Sequence, residues 1–382
     1  MLSLLFLAAA LWVVHQVERK PRYVWLLPAL LLIWVNCHAL FVLGLIVGGA
    51  YVVDRIVRGF AGGRFGLEAP PARPQPATLL LAGFLAFAAC LCNPYFEQGA
   101  LFPLELYRKF TVEQDFYAMR VGEFHQPIDV IRDAFRQYGP GYVLTHSLYL
   151  LAELTLFVMT AASFLWLGLG RARRISTLRL ILFAAFSYLF WEAFRNRGLF
   201  SLVSGVVLCG NCTDWLRLRS ERPGTARPEI SDQPVSDAQR TNRLPRGWVI
   251  TAVVLSGLIL ARFTNAWDTS SGVGQPFGFG KRDGWYADGA AQFAGQPGFP
   301  RHAFIANFGQ AAVYIFHNGP EHRVFIDGRL EVVTRATFER SEQILAEMEA
   351  AKKHIGNSKD RRLALEDVGW AVLNSKEFLF QH

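Results

Sequence analysis

The chain has 382 residues, of which 52% are hydrophobic, 14% aromatic and only 18% charged. A soluble globular domain carries about 25% charged residues, so this composition excludes an ordinary soluble enzyme and points to a membrane protein. The net charge of +8 does not indicate nucleic acid, because the basic residues gather in short connections rather than along one face. These sets are Arg19, Lys20 and Arg22; Arg55, Arg58, Arg64 and Arg73; Arg171, Arg173 and Arg174; and Arg217, Arg219, Arg222, Arg227, Arg240, Arg243 and Arg246. Connections rich in Lys and Arg stay in the cytoplasm.

Apolar stretches recur at 2–17, 24–53, 77–93, 147–169, 178–193, 198–216 and 247–264. Several reach the ~17–25 residues that a helix needs to cross the hydrocarbon core. The first lacks a basic region ahead of it and is followed by Arg19–Arg22, the reverse of a secretory signal. It therefore requires an N-terminus outside, and the expectation is a chain that begins partway through a longer protein.

The segment 24–53 starts and ends at cytoplasmic charge, yet it is too short for two crossings of ~20 residues each. It is expected to form two half-helices with a turn at Trp34-Val-Asn-Cys-His38. A turn inside lipid leaves backbone groups that must be buried in protein or face a wet cavity. Asn36 and His38 then satisfy that turn or touch what occupies the cavity.

Residues 77–93 cross outward, 93–141 form an outer loop, and 147–169 return to Arg171–Arg174. Residues 178–193 cross again, turn at Arg195-Asn-Arg197, and 198–216 come back. The Pro-containing, mixed-charge segment 217–246 reads as a cytoplasmic linker, and 247–264 is the last crossing. Residues 265–382 are then outside. Within them 285–295, 309–318 and 337–354 read as helices, and 302–306, 323–327 and 368–374 as strands. The alternation predicts a small α/β domain with a largely parallel sheet. The fold class expected is thus an α-helical multipass membrane domain, 1–216, joined through 217–246 and 247–264 to a small α/β extracytoplasmic domain.

Candidate site residues follow from this topology. Asp327 ends a strand at Asp-Gly, where open α/β sheets bind ligands, and Arg329 and Glu331 follow at alternating positions. The same stretch also suits a turn with a surface ion pair. Arg195 and Arg197 stand on the outer face, against the positive-inside tendency, where a guanidinium pair can grip a lipid phosphate or snorkel beside Glu192. His146 and Glu153 form a cavity-lining or interhelical pair. In the outer loop, Glu113 and Asp115 have the spacing of a metal-binding acid pair, and Glu123 and His125 that of an acid–base pair. Cysteines 37, 90, 92, 209 and 212 lie in or near apolar runs and give no disulfide framework. Cys209 and Cys212 have zinc-knuckle spacing without a second ligand pair.

Taken together, Trp34-x-Asn36-x-His38, Asn93-Pro94, Arg195-Asn-Arg197 and Phe325-Ile-Asp327-Gly-Arg329 resemble bacterial multipass proteins related to the GT-C glycosyltransferases. The stretch 303–331 resembles, more distantly, the outer domain of oligosaccharyltransferases. The resemblance implies a polyprenyl-phosphate-linked sugar as donor, transferred at the outer face of the bacterial cytoplasmic membrane with inversion. A base or a divalent metal held by acids in the first outer loop would activate the acceptor, and that loop is expected upstream of residue 1. Arg195 and Arg197 would face the phosphate, Asn36 and His38 would line the cavity, and Asp327, Arg329 and Glu331 would meet a head group. The partners implied are membrane lipids and the lipid-linked sugar. The rival expectations are a non-catalytic scaffold or transport-associated protein with a partner-binding outer domain, and an ion-coupled transporter using Glu153.

Overall fold

The computed structural model describes residues 2–61, 74–118, 120–121, 124–146, 148–169, 175–220, 246–264, 284–329 and 333–373. They fall into two compact units, a first that runs to Ala261 and a second that contains everything from residue 284 onward. The first unit is helical. Its elements are α1 (Leu2–Val17), α2 (Leu26–Val35), α3 (Val42–Ala61), α4 (Pro76–Leu91), α5 (Phe96–Val112), α6 (Gln114–Ala118), α7 (Pro127–Tyr138), α8 (Pro140–His146), α9 (Leu148–Leu169), α10 (Thr177–Glu192), α11 (Arg197–Ser220) and α12 (Arg246–Phe263).

Among the described residues, three helical segments are long and apolar enough to cross a membrane: Ala39–Phe60, Tyr149–Gly168 and Phe194–Leu216. The number is four if α4 and α5, bent by 96° at Asn93-Pro94, are one span. This is fewer than the apolar stretches lead one to expect, because α1 and α10 stop at 16 residues each. At 1.5 Å per residue they fall short of a ~30 Å hydrocarbon core.

The core of this unit is aromatic and aliphatic, with Leu7, Trp34, Phe186, Phe190 and Phe200 fully buried. Phe190 stacks on Phe200 at 4.6 Å and Phe6 on Trp34 at 5.3 Å. The outward side of the same helices is apolar too: Leu80, Phe84 and Phe87 on α4 and Leu165 and Trp166 on α9 are exposed. Helices that are apolar all round belong in a hydrocarbon environment.

The segment 24–53 breaks at residues 36–38, within the expected turn, but its second helix is longer than a half-helix. Together with the single turn Ala39–Phe41, α3 reaches crossing length by itself, and only α2 is short. A Gly-x-x-x-Gly pair, Gly44 and Gly48, lets α3 approach α2 closely. A Cβ at Gly44 would lie 2.8 Å from Leu31 Cδ2 and 3.1 Å from the Trp34 ring, and one at Gly48 would lie 2.7 Å from Leu27 Cδ2.

The second unit is mostly helical: α13 (Asp288–Ala294), α14 (Phe308–Asn318), α15 (Arg335–Asn357) and α16 (Arg361–Leu373), with β1 (His302–Ala303) and β2 (Arg323–Val324). The two strands pair in parallel, His302 opposite Arg323 and Ala303 opposite Val324, with α14 as the crossover. Thus the parallel pairing is present, but the described residues hold one pair of two-residue strands rather than a larger sheet. The stretch 368–374 is a correction: through Leu373 it belongs to helix α16.

Local chemistry fixes these elements. Asn307 caps α14 by accepting from Gly309 N and Gln310 N at 2.9 and 3.1 Å, and Thr334 caps α15 by accepting from Thr337 N. Gln310, His317 and Asn318 lash α14 to α13: Gln310 Nε2 donates to Trp285 O, His317 Nε2 lies 2.7 Å from Asp288 Oδ1, and Asn318 Nδ2 donates to Ala291 O.

Candidate functional sites at the helix ends and the strand edge

Asn36 and His38 are both exposed, and they serve the backbone. Asn36 Nδ2 donates to Leu32 O and, across the bundle, to Cys92 O, each at 2.9 Å. His38 Nδ1 accepts from Leu40 N at 3.2 Å, capping the turn that leads into α3. The amide therefore closes the end of α2 and ties it to the end of α4. Beside it, buried Asn93 knits the α4–α5 bend, donating to Cys90 O and Phe96 O and accepting from Tyr95 N. Gly99 leaves the space that the Asn93 amide fills.

Arg195 and Arg197 occupy the turn between α10 and α11. That turn is held from three directions: Asn196 Nδ2 donates to Leu189 O at 2.8 Å, Phe194 N to His125 O at 2.9 Å, and Gln114 Nε2 to Glu192 O at 3.4 Å. The two guanidinium groups part company here. Arg195 lies over Phe124 at 5.1 Å and Phe110 at 5.9 Å. Arg197 lies over Tyr149 at 4.7 Å and Phe194 at 4.8 Å, with its Nε 4.0 Å from Glu153 Oε1. Cations over aromatic faces gain electrostatic attraction, and the ring fixes the plane of a group whose donors are already rigid.

Glu153 thus meets Arg197. Its side chain is 13% exposed, and its Oε2 is buried without a hydrogen-bond partner. His146, the companion expected for Glu153, ends α8, and its side chain lies outside the described residues.

At the opposite ends of these helices the structure holds a cluster that the sequence reading passed over. Arg58, read as part of a cytoplasmic connection, is 3% exposed, and Asp54 is completely buried. Arg58 Nε donates to Asp54 Oδ2 at 2.8 Å and its Nη2 to Glu18 Oε1 at 2.5 Å. The other oxygen of Asp54 accepts from Leu178 N at 2.9 Å, capping the first turn of α10. One carboxylate and one guanidinium thereby join the ends of α1, α3 and α10. Nearby, Arg179 pairs with Asp214 of α11, and Gly210 gives the Arg179 side chain its space.

In the second unit Asp327 sits just beyond β2, as expected, and is buried. Arg329 binds it fully: its N donates to Oδ1 at 2.9 Å, its Nε to Oδ2 at 2.9 Å and its Nη2 to Oδ2 at 2.6 Å. Those hydrogen bonds hold the Asp327 carboxyl below its ordinary range, against the opposing effect of burial. The same partner raises Arg329. The pair borders a shallow groove of ≈ 390 Å³, which Ile315, Pro320, His322 and Val333 also line. Tyr314 Oη, 2.9 Å away, positions His322 through Nδ1.

Glu331 and Glu123 lie outside the described residues, as do Arg171, Arg173 and Arg174 and most of the linker. Glu113 ends α5 and Asp115 lies in α6. Among the described residues no three His, Cys, Asp or Glu side chains gather to hold a metal ion. Cys209 and Cys212 are free and exposed on α11. Comparison with protein-family models, with curated proteins and with solved structures returned no match.

Proposed function

We propose that this protein is a GT-C-like component of a bacterial cytoplasmic membrane that binds a polyprenyl-phosphate-linked sugar at the end of the bundle where Arg195 and Arg197 lie. The observation that carries this reading is the arginine turn itself. Two guanidinium groups are set two residues apart in a turn pinned by three hydrogen bonds, each over a pair of aromatic rings. Arginine at membrane depth is costly and is retained where it serves a ligand. An anionic phosphate between apolar tail and polar sugar matches a cationic turn rimmed by aromatic faces, and charge-assisted hydrogen bonds supply the attraction. In this reading Asn36 organises the neighbouring turn, and the second unit is the small extracytoplasmic α/β domain. A complete catalytic site would draw its acid or divalent metal from an acidic outer loop.

The test is lipid-phosphate binding by the full chain in nanodiscs, comparing wild type with R195Q/R197Q. The double variant is expected to bind about 10- to 100-fold more weakly, the equivalent of the ~1.5–3 kcal/mol contributed by a hydrogen bond to a charged group. Unchanged affinity sinks the assignment. A second reading, a scaffold that binds without catalysis, draws on the full engagement of Asp327 by Arg329. Wild-type binding of the lipid-linked sugar, with no transfer to any acceptor offered, favours it.

A further inference from the structure

We infer that α5 and α7 lie flat in the membrane interface, with the headgroup–acyl boundary of the bilayer covering their outward faces. The geometry points there first. Helix α4 is apolar on its exposed side and packs within the bundle, and at Asn93-Pro94 the chain turns by 96° into α5. If α4 runs along the membrane normal, α5 runs along the membrane plane. Asn93 satisfies backbone groups on both sides of the bend, and Asn36 satisfies Cys92 O, as a turn near lipid requires.

The segment then stays at the bundle's end. Tyr107 Oη lies 3.2 Å from Tyr188 Oη of α10, Gln114 donates to Glu192 O, and His125 O accepts from Phe194 N. These contacts hold α5, α6 and the lead into α7 beside the arginine turn.

The side-chain pattern agrees with that placement. On α5, Leu101, Leu104 and Val112 are exposed, and Glu105 and Arg108 are exposed among them. On α7, Val130 and Ile131 pack against the core, while Ile128, Phe135 and Tyr138 on the shoulder of that face are exposed. Beyond them on the polar side lie Arg132 and Asp133. An aqueous surface leaves these exposed apolar side chains uncovered. The hydrocarbon core penalises the charged residues between them. Apolar side chains interleaved with charged ones fit the boundary between the two. This placement also separates α4 from α5: α4 is immersed, and α5 is not the second half of a broken span.

The experiment uses the full chain in nanodiscs with the five native cysteines replaced. Single cysteines at Leu104→Cys, Phe135→Cys and Asp133→Cys carry an environment-sensitive fluorophore. Quenching is read from lipids spin-labelled near the headgroup, from lipids spin-labelled near the terminal methyl, and from a water-soluble quencher. Labels at 104 and 135 are expected to be quenched several-fold more by the shallow lipid label than by the deep one. The label at 133 is expected to respond mainly to the aqueous quencher. Aqueous quenching at 104 and 135 equal to that at 133 overturns the inference, and so does stronger quenching by the deep label, which would make α5 a span. Protection from all three quenchers also overturns it, since protein would then cover the face. On the unaltered chain, a phospholipid with a diazirine next to its headgroup should give adducts in α5 and α7; adducts confined to α4 and α9 contradict the placement.

Discussion

The two ends of the helical unit use arginine in opposite ways. At one end Arg58 is buried and saturated, held between Asp54 and Glu18 while Asp54 caps α10. At the other, Arg195 and Arg197 lie over aromatic rings, and the Arg197 side chain is 41% exposed with its carboxylate partner at 4.0 Å. The first end spends its cation on holding three helices together. At the second, aromatic rings orient both guanidinium groups. The same residue type is thus enclosed between carboxylates at one end and laid over rings at the other.

That contrast breaks most visibly at Arg58. R58A leaves Asp54 charged and buried without its partner, which costs about 3–5 kcal/mol, read as a loss of resistance to unfolding in detergent. D54N/R58M, which removes both charges and keeps an oxygen for Leu178 N, should recover more than half of that loss, because uncompensated charge is the main cost. A full-sized loss in the double variant would mean that packing, not charge, dominates the cluster.

The effect at the other end should be smaller. R197A removes a cation over two rings and a half-exposed pairing, worth below about 1 kcal/mol in the same unfolding assay. A loss as large as that of R58A would make the arginine turn a second structural clamp and remove its distinction from the first.

The smallest effect belongs to the second unit. Asp327 titrates below its ordinary value of about 3.9 because Arg329 favours its charged form. Its contribution to stability is therefore present above about pH 4 and fades as pH falls through the lower folded value. The protection factors of the β2 and α14 amides, taken against the intrinsic exchange rate at each pH, should fall in acid relative to neutral pH. D327N should lose that acid-dependent component and begin from a less protected state. Equal acid sensitivity in both would remove Asp327 as its source.

Much of this was legible in the sequence where one local rule decided the outcome. The helices at 309–318 and 337–354 emerge as Phe308–Asn318 and Arg335–Asn357, because apolar periodicity and capping residues agree. The strands at 302 and 323 are where expected but shorter. Residues 368–374 misled because a short apolar run does not distinguish the two periods. The better sign lay upstream in Asp360, whose carboxylate accepts from Arg362 N and Leu363 N at the start of α16. Asp54 and Arg58 stand at i,i+4, a spacing that announces a pair on one helix face, yet their place among basic residues directed the reading to topology. Asn36 was correctly singled out as a polar group with a turn to serve. Its partner, Cys92 O, is 56 residues away, and no local rule reaches that far.

The close approach of α3 to α2 carries a consequence for ancestry. Gly44 faces Leu31 and the rigid, fully buried Trp34, whereas Gly48 faces only the flexible tip of Leu27. A methyl group at 48 is accommodated by one leucine rotamer, while one at 44 demands that bulk be surrendered across the gap. In descendants of a common gene, position 48 is then free to drift on its own. Position 44 is expected to change only in concert with 31 or 34, a paired exchange that an alignment of this chain's kin would test.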